Sequence, residues 1–100
     1  MDKGHYMYVV SCANGTLYTG YAVDVEARVE AHNQGKGAKY TKAHGPVTLV
    51  AQAEFSSKHD AMSAEYHFKK LPRARKDELL AQAAVEPFAD VLARAFGWDG

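Results

Sequence analysis

The sequence predicts an α/β (α+β) domain, a small three-stranded antiparallel sheet flanked by helices. Three observations predict it. Two β-branched and aromatic runs flank Asn14-Gly15, a pair that tolerates the positive φ of hairpin loops. A third apolar run covers residues 47–55, after Gly45-Pro46. The segments between and after these runs carry helical apolar spacing, opened by capping residues and closed by Gly or Pro. Strands joined and followed by helices in this order make a small sandwich built on an antiparallel sheet.

Strand one is expected over about residues 6–12 and strand two over 16–21. Register decides what the hairpin can do. A two-residue loop pairs Cys12 with Leu17 and sends the phenols of Tyr8 and Tyr18 to opposite faces. A three-residue loop with Gly15 left-handed pairs Cys12 with Thr16. Tyr8 then lies opposite Gly20 and diagonal to Tyr18 on one face. The three-residue loop is the expectation, because a glycine inside a strand beside an aromatic allows close approach.

Asp24 is a credible N-cap for a helix to about residue 33, stopped by Gly35. Val25 and Val29 form its core stripe, with Arg28 and His32 an i, i+4 pair beside it. Residues 35–42 are glycine-rich, basic and aromatic but lack the pattern of a P-loop. A short helical turn there puts Lys36, Lys39 and Lys42 on one side, suited to backbone phosphates. Tyr40 suits stacking on an unpaired base. A plain flexible linker fits the same composition.

The near-continuous apolar character of residues 47–55 predicts a central strand covered on both faces. Ser57 with Asp60 then opens a helix to about Leu71, ended by Pro72. Its inward stripe reads Ala61, Ala64, Glu65, Phe68 and Leu71, so a carboxylate takes a core-facing position. Such a group is costly unless a cation sits beside it. One carboxylate with waters and substrate phosphate is a common way of holding Mg²⁺. A rim position, or pairing with Arg28, is the plainer account. His59 and His67 fall on outer faces. A fourth helix, about 73–84, buries Leu79, Leu80 and Ala83. A last one opens at Pro87, turns Phe88, Val91, Leu92 and Ala95 inward and stops at Gly97. The domain reading is a main unit over 1–84 and a helical extension over 85–100, packed on it or paired with a second copy.

Several of these residues resemble the GIY-YIG nuclease family. Tyr6-Met7-Tyr8 stands where that family has its GIY, and Tyr18-Thr19-Gly20 stands at its YIG. Arg28 and His32 follow at the family's spacing, and Ala61-Met62-Ser63-Ala64-Glu65 is similar to the helix bearing its metal-binding glutamate. The likeness spans about residues 6–82. It is strongest to small stand-alone bacterial members, which share Gly35-Lys36-Gly37-Ala38-Lys39. Tyr6 replaces the first glycine, and the late asparagine of some members has no obvious counterpart.

The resemblance implies a divalent-metal-dependent endonuclease with Tyr8, Tyr18, Arg28, His32 and Glu65 as catalytic residues. Glu65 would hold a single Mg²⁺ or Mn²⁺, and Tyr8 would act as base. Phosphodiester hydrolysis asks for such groups: a proton acceptor for the attacking water and cations for the phosphoryl oxygens. Arg28 brings a planar fork that matches those oxygens. A phenol with its ordinary pKa near ~10 is a poor base at pH 7 unless a neighbour takes its proton. His32 and Lys39 are the two acceptors within the set, and Tyr18 would orient the phenol or the water.

Composition sets the remaining bounds. The chain has 100 residues, 47% hydrophobic and 24% charged, which is one ordinary globular domain able to bury about two-thirds of its unfolded surface. Its one cysteine, Cys12, excludes an intrachain disulfide framework and reads as a core-facing strand residue. The first five residues lead into no apolar run that would serve as a signal peptide, and no segment reaches the ~20 apolar residues of a membrane span. The cytoplasm is the expected location.

Net charge is zero, but residues 28–76 hold ten Lys/Arg against four acids, a local excess of six. That basic middle fits a nucleic-acid partner, DNA being the expected one. With no appended recognition domain, structure-dependent or weakly sequence-specific cleavage in repair or processing is expected, from a monomer or weak homodimer. A non-catalytic nucleic-acid-binding accessory module would use the same basic surface without Glu65.

Overall fold

A computed structural model describes residues 4–97. The expected N-terminal residues 1–3 and the last three residues of the C-terminal extension lie outside the described residues. The elements in order are β1 (His5–Cys12), β2 (Leu17–Ala22), α1 (Val25–Asn33), α2 (Lys39–His44), β3 (Val47–Phe55), α3 (Lys58–Lys69), α4 (Arg73–Ala83) and α5 (Phe88–Phe96). They form the expected antiparallel sheet, in the order β2-β1-β3.

The hairpin takes the three-residue loop. Tyr8 pairs with Gly20 and Val10 with Tyr18. The Cys12 amide donates to Thr16 O at 2.8 Å, and Gly15 is left-handed at φ 84°. Asn14 Oδ1 accepts from both the amide and the hydroxyl of Thr16, which fixes the tip locally.

Alternation along β1 builds two cores. Met7 and Val9 pack with Ala64, Phe68, Leu79, Phe88, Val91 and Leu92 from α3, α4 and α5. Tyr8, Val10 and Cys12 pack on the other side with Ala22, Val25 and Val47, and Tyr18 leans on that cluster. Both phenols therefore lie on the α1 side of the sheet. The apolar stripe of α5 is buried in its own domain, and Gly97 ends that helix at φ 74°.

The third strand corrects an expectation. Residues 47–55 do form β3, but at the edge, and every second residue is exposed. The central strand is β1, whose Met7, Tyr8, Val9 and Val10 are each at most 1% exposed. A β-bulge explains why β3 looked central. Ala51 opposes Val9 while Leu49 opposes Val10, so Val50 is the extra residue. Ala51, Ala53 and Phe55 consequently pack on the α3–α5 side, and Val47 and Leu49 on the α1 side. The strand serves both cores in succession rather than at once. Asn33 covers part of the open edge by accepting from the Val47 amide at 2.6 Å and donating to its carbonyl at 3.1 Å.

Candidate active site

Tyr8 stands in the middle of the central strand, 1% exposed. A side chain at Gly20 would collide with its hydroxyl, so the glycine opposite gives the phenol its room. Asp24 caps α1 by accepting from the Ala27 amide at 3.1 Å. The capped helix then delivers Arg28 and, one turn on, His32 to the Tyr8 side of the sheet.

His32 is buried, 2% exposed, and is bonded at both ring nitrogens. Nε2 lies 2.7 Å from the Tyr8 hydroxyl and Nδ1 2.6 Å from Thr41 Oγ1. The Thr41 hydroxyl also reaches the Ala38 carbonyl at 2.9 Å, and the Ala38 amide donates toward Nδ1 at 3.4 Å. Two tautomers satisfy these contacts: a proton on Nδ1 given to Thr41, with Nε2 accepting from the Tyr8 phenol, or a proton on Nε2 given to Tyr8, with Nδ1 accepting. Tyr18 sets its ring against the edge of His32, with centroids 5.4 Å apart at 66°.

Electrostatics joins the same groups. Burial pushes the Tyr8 phenol above its ordinary 10.0, and Arg28 opposes that shift through its hydrogen-bonding and charge. The Tyr18 and Glu65 charges reinforce the upward shift. Burial, and then the Arg28 charge, hold His32 below 6.5. Arg28 thus acts on both ends of the Tyr8–His32 bond, favouring phenolate and disfavouring imidazolium.

The Glu65 side chain is 15% exposed. Its ion-pair partner is Lys69 at 3.0 Å, not Arg28. Ala61, Ala64 and Phe68 of the same helix are fully buried. Among the described residues no three His, Cys, Asp or Glu side chains gather as a closed metal site. One hard carboxylate that keeps some exposure nevertheless fits Mg²⁺, which keeps waters and substrate phosphates as its other ligands. Its partner Lys69 is half exposed.

The basic residues sort into two groups. Lys36, Lys39 and Lys42 are exposed, on α2 and the turn before it. Tyr40 is engaged: its hydroxyl donates to Thr16 Oγ1 at 2.6 Å, and its ring stacks on Tyr18 at 6.4 Å. It retains 39% exposure. Lys69, Arg73 and Arg75 are ion-paired with carboxylates of their own helices, α3 and α4. Of the two proton acceptors weighed for Tyr8, His32 is hydrogen-bonded to it, whereas Lys39 is exposed.

Two contacts escaped the sequence. Thr41 is wholly buried against His32, and Gly37 lies so close that a side chain there would strike Nδ1. The repeated glycines of residues 35–37 were the only hint, and they read equally well as a linker.

A three-stranded sheet whose hairpin offers two tyrosines to a helix-borne arginine and histidine defines the class. It is the arrangement of a GIY-YIG domain. Residues 4–78 match the family model described as the GIY-YIG catalytic domain. A UPF0213 protein from Staphylococcus saprophyticus is 50% identical over 82% of this chain and 99% of its own length. One from Lacticaseibacillus paracasei is 51% identical over 84% and 94%. The solution NMR structure of a UPF0213 protein from Bacillus halodurans is 42% identical, with a TM-score of 0.55 over 90% of this chain and 95% of that one. The chain belongs to the GIY-YIG catalytic domain family, and its relatives are small bacterial proteins of the UPF0213 group.

Proposed function

We propose that this protein is a divalent-metal-dependent endonuclease that hydrolyses phosphodiester bonds in DNA. Its substrates are read by structure or only weakly by sequence, which suits repair or nucleic-acid processing. The observation that carries this reading is the 2.7 Å bond from the Tyr8 hydroxyl to His32 Nε2, with the Arg28 charge acting on both partners.

A buried phenol whose pKa is raised is no standing base at neutral pH. It works instead as a relay. Tyr8 takes a proton from the attacking water as it passes its own to Nε2 of a histidine kept neutral by burial and Arg28. Tyr18, packed on the His32 ring, holds the geometry of that exchange. Arg28 directs its fork to the non-bridging phosphoryl oxygens, where charge accumulates. Glu65 would hold Mg²⁺ or Mn²⁺, which supplies Lewis-acid polarisation of the phosphoryl group and stabilises the leaving oxygen. Lys36, Lys39 and Lys42 line the approach of the backbone phosphates.

The test is incubation of purified protein with branched, single-stranded and duplex DNA, with and without Mg²⁺ or Mn²⁺. Cleavage that depends on the metal and favours one DNA structure is the expected result. Tight binding with no cleavage under any condition would instead identify a non-catalytic accessory module.

A further inference from the structure

We infer that Thr41 is a positioning residue, fixing the His32 imidazole in the tautomer and orientation that can take a proton from Tyr8. The inference rests on the nuclease reading above for its catalytic consequence, but not for its geometry. A neutral imidazole has one N–H, and the partner of one nitrogen decides what the other can do. Here the nearest partner of Nδ1 is a hydroxyl at 2.6 Å that also reaches the Ala38 carbonyl at 2.9 Å, with the Ala38 amide farther off at 3.4 Å. With its own proton on that carbonyl, Thr41 accepts from Nδ1–H, and Nε2 keeps a lone pair facing the phenol at 2.7 Å.

Burial makes this arrangement strict. Thr41 is 0% exposed and His32 2%, so water offers neither group a substitute partner. No buried side-chain nitrogen or oxygen among the described residues lacks a hydrogen bond. Losing the hydroxyl would leave Nδ1–H unpaired, which favours moving the proton to Nε2. There it would point at the Tyr8 oxygen and abolish the acceptor. Gly37 supplies the space, since any side chain at that position would meet Nδ1. Residues 35–42 thus have two sides. Lys36, Lys39 and Lys42 face solvent, while Gly37 and Thr41 face the imidazole.

Imidazole ¹⁵N–¹H correlation spectra of the full chain read the tautomer without any substrate. The wild type and Thr41→Ser should both carry the His32 proton on Nδ1, whereas Thr41→Val should move it to Nε2. In single-turnover cleavage Thr41→Val should be slowed about 10- to 100-fold, by analogy with the loss of a partner that orients a metal-ligating imidazole. Its affinity for DNA should be unchanged, and Thr41→Ser should stay within about threefold of wild type. A wild-type proton on Nε2, or an unchanged tautomer in Thr41→Val, overturns the assignment. The wild-type spectrum decides this even if Thr41→Val fails to fold. A shifted tautomer with an undiminished cleavage rate removes the catalytic consequence. A shifted tautomer in a protein that cuts no DNA keeps the positioning role and overturns the nuclease reading alone.

Discussion

At the scale of single residues, the site is a problem of where protons rest. Tyr8 is buried and keeps its proton more firmly than a free phenol, while His32 is buried and binds a proton more weakly than a free imidazole. Neither group carries charge at neutral pH, so a proton moves between them only when the reaction drives it. Acid should therefore stop the reaction by protonating His32, and at a lower pH than for a free histidine. The acid limb of kcat/KM is expected below pH 6.5, the ordinary value from which His32 is depressed. Stability follows the same sign. The unfolded chain protonates its histidine near 6.5 and the folded chain only at a lower pH, so the contribution is complete above 6.5. It is lost as pH falls through the folded value. A pH–rate profile checks the claim, and an acid limb at or above 6.5 contradicts it.

Among the elements, the bulge at Val50 does the most to shape the fold. It turns β3 over midway, so that its odd-numbered residues reach one core and then the other. Deleting Val50 removes the extra residue, so Leu49 adjoins Ala51 in an unbroken ladder and Val47 and Leu49 keep their places on the α1 side. A register slip to the other face would instead cost about 1.5–3 kcal/mol for each apolar side chain displaced. Urea denaturation of the deletion variant should show a loss below that figure; a loss of that order per residue would mean the bulge itself holds Val47 and Leu49 in place. This device also explains what the sequence could and could not disclose. The β1–β2 register was legible because Asn14-Gly15 restricts the loop and only one register puts a glycine opposite Tyr8. The helices were legible from their caps, Asp24 and Ser57, whose side chains accept from Ala27 and Asp60 as expected. The position of β3 was not, because a bulged edge strand feeding two cores has the same apolar run as a central one. The unbroken apolar and aromatic run Met7-Tyr8-Val9-Val10 in β1 was the better signal. Thr41 was hidden for another reason. It meets His32 across nine residues and a turn, and neither periodicity nor spacing encodes such a contact.

For the whole molecule, zero net charge conceals an uneven surface. Lys69, Arg73, Arg75 and Arg94 are each held by a carboxylate, whereas no ion pair is found for Lys36, Lys39 or Lys42 among the described residues. Replacing those three lysines by alanine should weaken DNA binding and flatten its dependence on salt, by about 0.9 in logarithmic slope for each phosphate no longer neutralised. Binding titrations across salt concentrations measure this, and an unaltered slope would place the nucleic acid elsewhere. No helix among the described residues is long and apolar enough to cross a membrane. The central claim is that Arg28, from α1, and Glu65, from α3, act on one phosphodiester beside Tyr8. Its most direct measurement is the Mg²⁺-dependent cleavage rate of Arg28→Ala and Glu65→Ala, each verified as folded. Loss of cleavage in both variants, by about 100-fold or more for groups stabilising charge in the transition state, is the predicted result. Either variant cutting DNA as fast as the wild type would contradict it.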